Sequence, residues 1–196
     1  EVCSGESITL NGTIGGGATS ATWTSDSGGT FSNQNSLNST YTPNISSGTV
    51  TLTLTTDDPS GPCNSDFDTV VITVYEIPTV DAGSAQEVCS GESITLNGAI
   101  NGGASNATWT SNNGGTFSNQ NALNSEYTPS ISSGTVILTL TTDDPSGPCN
   151  AVSDTVTITV IQKLTPSVSI VSNDSDNSIC LGDSVTFTAT PVNGGT

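Results

Sequence analysis

The chain contains no histidine, no arginine and no methionine, and its single cationic side chain is Lys163. Against that one lysine stand 18 acidic residues, a formal net charge of −17 at pH 7. These absences exclude whole classes of function. A nucleic-acid partner requires cations that displace the counterions condensed on phosphate, and there are none to supply. Attraction to an anionic lipid surface fails for the same reason. Without histidine, the usual general base and the usual partner of a nucleophilic serine are gone. No apolar run is long enough to cross a bilayer, so these residues imply no membrane insertion. Leu, Ala, Glu and Lys are sparse and no segment repeats its apolar residues every 3.6 positions, which removes the helix signal.

What the chain has is repetition. Residues 1–12 recur unchanged at 87–98, and the echo runs on at an offset of 86: Trp23 and Trp109, Asp57-Asp58 and Asp143-Asp144, Cys63 and Cys149. Segments 1–74 and 87–160 align without a gap and differ at 14 positions. A third, more diverged copy begins at Ile179-Cys180-Leu181-Gly182-Asp183. The period is too long for a solenoid unit and suits a small domain with its own core. We therefore divide the chain into a first repeat over 1–76 that lacks its opening strand, a complete second repeat over 77–162, and the start of a third over 163–196. The chain opens inside a repeat and ends before the third could close a core, so it reads as a window on a longer polypeptide. The strong acidity keeps such an array soluble and discourages near-identical neighbours from associating.

Within one copy, apolar and polar residues alternate with period 2. Ile8 and Leu10 flank Thr9; Val50, Leu52 and Leu54 alternate with threonines; Val70, Ile72 and Val74 form a third inward row. Shorter strands centre on Trp23, Phe31 and Tyr41, separated by turn clusters such as Asn11-Gly12, Gly15-Gly16-Gly17, Ser27-Gly28-Gly29 and Pro59-Ser60-Gly61-Pro62. Six or seven short strands per repeat describe an antiparallel β-sandwich, and the fold class is all-β, with tandem sandwiches laid end to end. The differences between copies fall mostly in turns and on outward strand positions (Thr51/Ile137, Val71/Thr157), while the inward rows are identical.

These residues carry a resemblance. Val-Cys-Ser-Gly-Glu-Ser-Ile-Thr-Leu-Asn-Gly, a Trp strand, Thr-Tyr-Thr-Pro, Gly-Thr-Val-Thr-Leu-Thr-Leu-Thr-Thr-Asp-Asp, then Cys and Asp-Thr-Val-Val-Ile-Thr-Val resemble the Ig-like and PKD-like repeats of large Bacteroidota cell-surface or secreted proteins. Pro78-Thr79-Val80-Asp81-Ala82-Gly83 resembles their first strand. The chain departs from PKD domains in having Thr-Ser-Asp-Ser-Gly-Gly after the Trp, in place of Trp-Asp-Phe-Gly-Asp-Gly. The resemblance implies an adhesin, gliding-adhesin or filament type of architecture, exported to the cell surface or the medium.

Two cysteines per complete copy, with no C-x-x-C and no histidine, point to structural disulfides and an extracellular compartment. The favoured pairing is within each copy, Cys3–Cys63 and Cys89–Cys149. It meets a geometric objection. In an Ig-like sandwich the two cysteines of one copy stand about a strand length apart, far beyond the ~7 Å Cα limit of a disulfide. The alternative pairs Cys3 with Cys149 across a head-to-tail junction, and free thiols are the third reading. Intramolecular Lys–Asn isopeptide bonds cannot form, because neither repeat core contains a lysine.

The acids suit hard-cation chemistry better than catalysis. Adjacent carboxylates at a strand end point to opposite sides, whereas a glycosidase needs two that face one another across a cleft. No catalytic residue is assigned and the chain reads as a non-enzyme. Candidate Ca²⁺ ligands are Asp57, Asp58, Asp68, Asp81, Asp143, Asp144 and Asp154, with Asp66 and Glu87 nearby; solvated turn aspartates are the alternative. No other cofactor is implied. Trp23 and Trp109 fit core anchors better than sugar platforms. Asp68-Thr69-Val70, Asp154-Thr155-Val156 and Asp183-Ser184-Val185 resemble a Bacteroidota O-glycosylation pattern, making Thr69, Thr155 and Ser184 candidate modification sites. The expected function is a structural repeat array, the stalk or filament-forming segment of a surface adhesin, partnered by neighbouring repeats and by other copies of the chain in a fibre. The alternatives are a module that binds surface glycans, or a spacer in a secreted multidomain hydrolase.

Overall fold

The computed structural model describes residues 1–58, 62–145, 147–176 and 178–193. Among them the regular elements are all strands. In the first copy these are β1 (Val2–Cys3), β2 (Ile8–Thr9), β3 (Ala21–Ser25), β4 (Thr30–Phe31), β5 (Thr40–Thr42), β6 (Gly48–Thr56) and β7 (Phe67–Tyr75). They form two sheets, ordered β1-β7-β6-β3 and β2-β5-β4. The second copy contains β8 (Thr79–Asp81), β9 (Gln86–Cys89), β10 (Ile94–Thr95), β11 (Ala99–Asn101), β12 (Ala107–Ser111), β13 (Thr116–Phe117), β14 (Glu126–Thr128), β15 (Gly134–Thr142) and β16 (Ser153–Ile161). Its sheets are ordered β9-β16-β15-β12 and β10-β14-β13, with β8 paired to β11. Further on, β17 (Ser167–Ser172) pairs antiparallel with β18 (Phe187–Val192), and their apolar side chains, including Val168, Ile170 and Phe187, are exposed.

The long pair β6 and β7 shows why alternation makes this fold. Their antiparallel register sets Val50 opposite Ile72 and Leu52 opposite Val70, while Thr51 meets Val71 and Thr53 meets Thr69 on the other face. Pleating sends alternate side chains to opposite faces, so one face carries the apolar row and the other the threonines. Val50 and Leu52 are fully buried, with Trp23, Tyr41 and Val74 in the same cluster. The second copy repeats this with Val136, Leu138, Leu140, Trp109 and Tyr127. Each such aliphatic side chain contributes on the order of 2 kcal/mol when fully buried.

Two local devices lock the sheets together. The buried Tyr41 hydroxyl donates to the Gly28 carbonyl oxygen at 2.7 Å, and Tyr127 does the same to Gly114 at 2.6 Å. Gly12 and Gly98 carry the chain hard against the tryptophans: a Cβ on Gly12 would lie 2.7 Å from Leu54 Cδ2 and 3.0 Å from the Trp23 ring.

One inward row is covered differently in the two copies, as expected of a first repeat that lacks its opening strand. Val70 is 40% exposed, whereas its counterpart Val156 is 3% exposed. The cause is β8. In the second copy β8 pairs with β11, packs across β15 and β16, and buries Ala82. The counterparts of β11 in the first copy, residues 13–15, have no such partner and form no strand. Of the turn cluster at 59–62, residues 59–61 lie outside the described residues.

Candidate functional site

The most distinctive chemistry sits where the first copy meets the second. β1 runs parallel to β7 with Cys3 beside Tyr75, so Cys3 stands at the end of the sandwich from which the chain leaves. Ser4 N donates to the Tyr75 carbonyl oxygen at 2.8 Å and fixes that edge. From the other side comes the loop 143–152, which joins β15 to β16. It carries Cys149 to Cys3, and the two form a disulfide with Cα atoms 5.6 Å apart. Both residues are buried, at 3% and 4% exposure.

This geometry corrects the favoured within-copy pairing. Cys3–Cys63 and Cys89–Cys149 do not form: Cys63 and Cys89 are free and exposed, as is Cys180. Cys3 lies beside the last residue of β7 and Cys63 precedes its first. At about 3.3 Å per residue, the two ends of this nine-residue strand stand roughly 26 Å apart, with Cys3 at one end and Cys63 before the other.

Close backbone contacts surround the bond. Gly147, at φ +105°, lies on the Tyr75 ring, and a Cβ there would come within 2.8 Å of it. Side chains at Gly102 and Gly103 would collide with the carbonyl groups of Ile77 and Glu76. Cys3, Glu6, Ile77, Pro78, Cys149 and Val152 border a cleft of about 170 Å³ beside the bond. The Tyr75 hydroxyl donates to Glu1 Oε1 at 3.1 Å, which raises the tyrosine's pKa. At the exit of the second copy, Ser90 N donates to the Ile161 carbonyl oxygen at 2.8 Å, matching Ser4, and Lys163 pairs with Glu92 at 2.6 Å.

The candidate calcium ligands are scattered among separate tasks. Asp57 accepts from Thr19 N, Thr19 Oγ1 and Ser20 N, clasping the 15–20 loop to the end of β6. Asp143 repeats the clasp on Ser105 N, Ser105 Oγ and Asn106 N. The Ser105 hydroxyl and these amides hold Asp143 down at a pKa of about 2, and the Thr19 hydroxyl chiefly lowers Asp57 in the same way. Asp81 accepts from Gly83 N, Asp68 from Thr69 N, and Asp154 Oδ2 from Ala82 N at 2.9 Å. Asp58 and Asp144 are exposed. Among the described residues, no three acidic or cysteine side chains gather around one point that could hold a metal ion.

Trp23 and Trp109 lie in the two cores, at 6% and 1% exposure. Thr69, Thr155 and Ser184 are exposed. Cysteine spacing alone offered both pairings; the signal that distinguishes them is that Cys3 and Tyr75 share one sandwich end, a fact of topology.

The comparisons with known proteins bear on the fold. No family model and no curated protein matches this chain. Among solved structures, the insect immune protein hemolin matches with a TM-score of 0.50 at 12% identity, over 83% of this chain and 44% of hemolin. This chain thus spans less than half of hemolin's length. The fold is immunoglobulin-like. Fibronectin(III)-like modules of Clostridium thermocellum CbhA match at 14% identity and a TM-score of 0.34, over 82% of this chain and 88% of theirs. The C-terminal 282-residue fragment of intimin, in complex with the intimin-binding domain of the translocated intimin receptor, matches at 18% identity and a TM-score of 0.41, over 85% of this chain and 59% of that fragment. In immunoglobulin-like terms, β1 and β9 are edge strands parallel to the last strand of the sandwich, and β6 with β7 is its closing hairpin.

Proposed function

We propose that this chain is a stiff segment of an extracellular repeat array, a stalk or filament-forming part of a bacterial surface adhesin with no catalytic role. The observation that carries the reading is the Cys3–Cys149 disulfide, which joins successive repeats where a single-domain fold would gain nothing from it. A covalent bond beside a short connection turns two linked sandwiches into one jointed rod, because relative rotation now requires both tethers to move. Disulfides persist in oxidising compartments, which supports a location outside the cytoplasm.

The junction is built to be repeated. The far tip of the first copy presents Gly16, Gly17 and Cys63, the counterparts of Gly102, Gly103 and Cys149. Gly16 has open space where Gly102 has the Ile77 carbonyl. At the other end, Cys89 is exposed where Cys3 is bonded. Each repeat thus offers one cysteine forward and one back, and we read the array as a series of stapled junctions. Hemolin's structure was described with implications for homophilic adhesion; we extend to this chain an adhesive or self-associating role as part of the array.

Small-angle scattering of the oxidised and reduced chain tests the reading. A rod-like distance distribution that broadens and shortens on reduction supports it. Indistinguishable profiles in the two states would remove the staple's mechanical role and the reading with it.

A further inference from the structure

The cysteines of the two copies come in the order Cys3, Cys63, Cys89 and Cys149, and the bonded pair is the outermost. An unfolded chain does not favour that pair. Cys63 and Cys89 are 26 positions apart (63 to 89) and Cys3 and Cys63 are 60 apart (3 to 63), against 146 for Cys3 and Cys149. The probability of closing a flexible loop falls as the 3/2 power of its length. That favours Cys63–Cys89 over Cys3–Cys149 by about thirteenfold, and Cys3–Cys63 by about fourfold. A chain that emerges N-terminus first also presents Cys3 and Cys63 together before Cys149 appears.

Folding reverses these preferences. Once β7 has formed, Cys3 and Cys63 stand at its two ends, roughly 26 Å apart, and β16 separates Cys89 from Cys149 in the same way. Cys63 precedes β7 and Cys89 lies beside the end of β16, with the junction between them. None of these pairs approaches the ~7 Å Cα limit of a disulfide. The place for Cys149 exists only in the folded junction. Strand pairing sets Cys3 beside Tyr75, Cys149 Sγ lies 3.9 Å from the Tyr75 carbonyl oxygen, and Gly147 rests on the Tyr75 ring.

We propose that the Cys3–Cys149 bond is the product of a late oxidation. Both sandwiches fold and dock with their thiols free, and an oxidant of the disulfide class then joins the docked pair. One thiolate attacks a sulfur of the oxidant and expels a thiolate. The second thiolate attacks the resulting mixed disulfide and expels the other. The two thiol protons leave to solvent, and the oxidant, having gained two electrons, ends as two thiols. Oxidation that precedes folding gives the short-loop pairs instead, and only thiol–disulfide exchange recovers the native bond from them. Extended along the array, a step that rests on the reading above, the first cysteine of each repeat stays reduced until the next repeat has folded.

The test oxidises the full chain by two routes and maps the bonds by digestion without reductant. In the first route the reduced chain folds in buffer and then meets oxidised glutathione. In the second, oxidised glutathione acts in urea, remaining thiols are blocked with iodoacetamide, and the urea is then removed. The first route should join Cys3 to Cys149 and to no other cysteine. The second should give short-loop pairs, Cys63–Cys89 foremost, with Cys3–Cys149 about tenfold scarcer. Leu52→Asp places a charge in the first core, where Leu52 is fully buried, and prevents that copy from folding. By the first route this variant should yield the products of the second. Equal yields of Cys3–Cys149 by both routes, or its persistence as the sole bond of Cys3 in Leu52→Asp, overturns the late oxidation and leaves the stapled junction standing. Absence of the bond by either route overturns both.

Discussion

Cys3 and Cys149 are separated by 146 positions in sequence, yet their Cα atoms lie 5.6 Å apart and their sulfurs are bonded. The bond closes a loop that contains the whole first sandwich and most of the second. In the chain-entropy model a loop of that length is worth up to about 5 kcal/mol. Digestion at aspartates without reductant should yield residues 1–25 linked to 144–153, a pair marked by Asn150-Ala151. A linkage of 1–25 to 58–65, marked by Asn64-Ser65, would refute the junction bond. Cys149→Ser should lower the melting temperature and loosen the scattering profile, whereas Cys63→Ser, at an exposed free thiol, should leave both unchanged.

Tyr127→Phe removes a buried hydroxyl that donates to Gly114 O and lies 3.1 Å from Ser111 Oγ. It leaves both groups short of a partner. A loss of about 1–3 kcal/mol is expected in urea unfolding, with an unchanged m-value. A loss below 0.5 kcal/mol would mean that water replaces the hydroxyl at no net cost.

Acid should loosen the loop clasps in a defined window. Asp143 has its pKa depressed to about 2, chiefly by the Ser105 hydroxyl, from an ordinary value of 3.8. A depressed carboxylate stabilises the fold fully above its unfolded pKa, and the effect is lost as pH falls through the folded one. Unfolding should therefore become easier between about pH 4 and pH 2, and Asp143→Asn should flatten that part of the profile. Asp57, lowered by Thr19, should add to the same slope. A variant with the wild-type slope would assign the acid response to other groups.

The outward pair Thr51–Val71 of the first copy becomes Ile137–Thr157 in the second, and in each copy the two residues face one another across the central hairpin. Each copy thus keeps one threonine and one larger aliphatic residue at this exposed place. Exchanging both residues should be nearly neutral. Changing Thr51→Ile alone, which puts Ile beside Val71, should shift stability by no more than about 1 kcal/mol. A double-mutant cycle by thermal melts measures the coupling, and a coupling of zero would make the swap a coincidence.

Gly147→Ala should strain the junction, because φ of +105° disfavours any side chain and the new Cβ would press on the Tyr75 ring. We expect the disulfide to form more slowly during oxidative refolding, with the second core's urea midpoint little changed. An equal loss in both would place Gly147 in the second core's stability and not at the junction.

Much of the fold was legible because it rests on local rules. Period-2 alternation located β6, β7, β15 and β16, and the identical inward rows became the two cores. Val70 keeps the inward register that alternation gives it, opposite Leu52; alternation records which way a side chain points and not whether a strand covers it. Cysteine pairing was legible only as a set of alternatives. Composition gives the number of thiols, but which two meet depends on which ends of two sandwiches face each other. Charge counted along the sequence offered the aspartates as candidate cation ligands or solvated turn residues, and only the fold shows that Asp57, Asp143 and Asp154 each accept from separate backbone amides.

The sequence by itself determined the repeat, the all-β class, the core rows and the exclusion of partners that need positive charge. Period and composition are properties of the chain alone. Tertiary structure decided the Cys3–Cys149 bond and the covering of Val156, because each depends on contacts between segments dozens of residues apart.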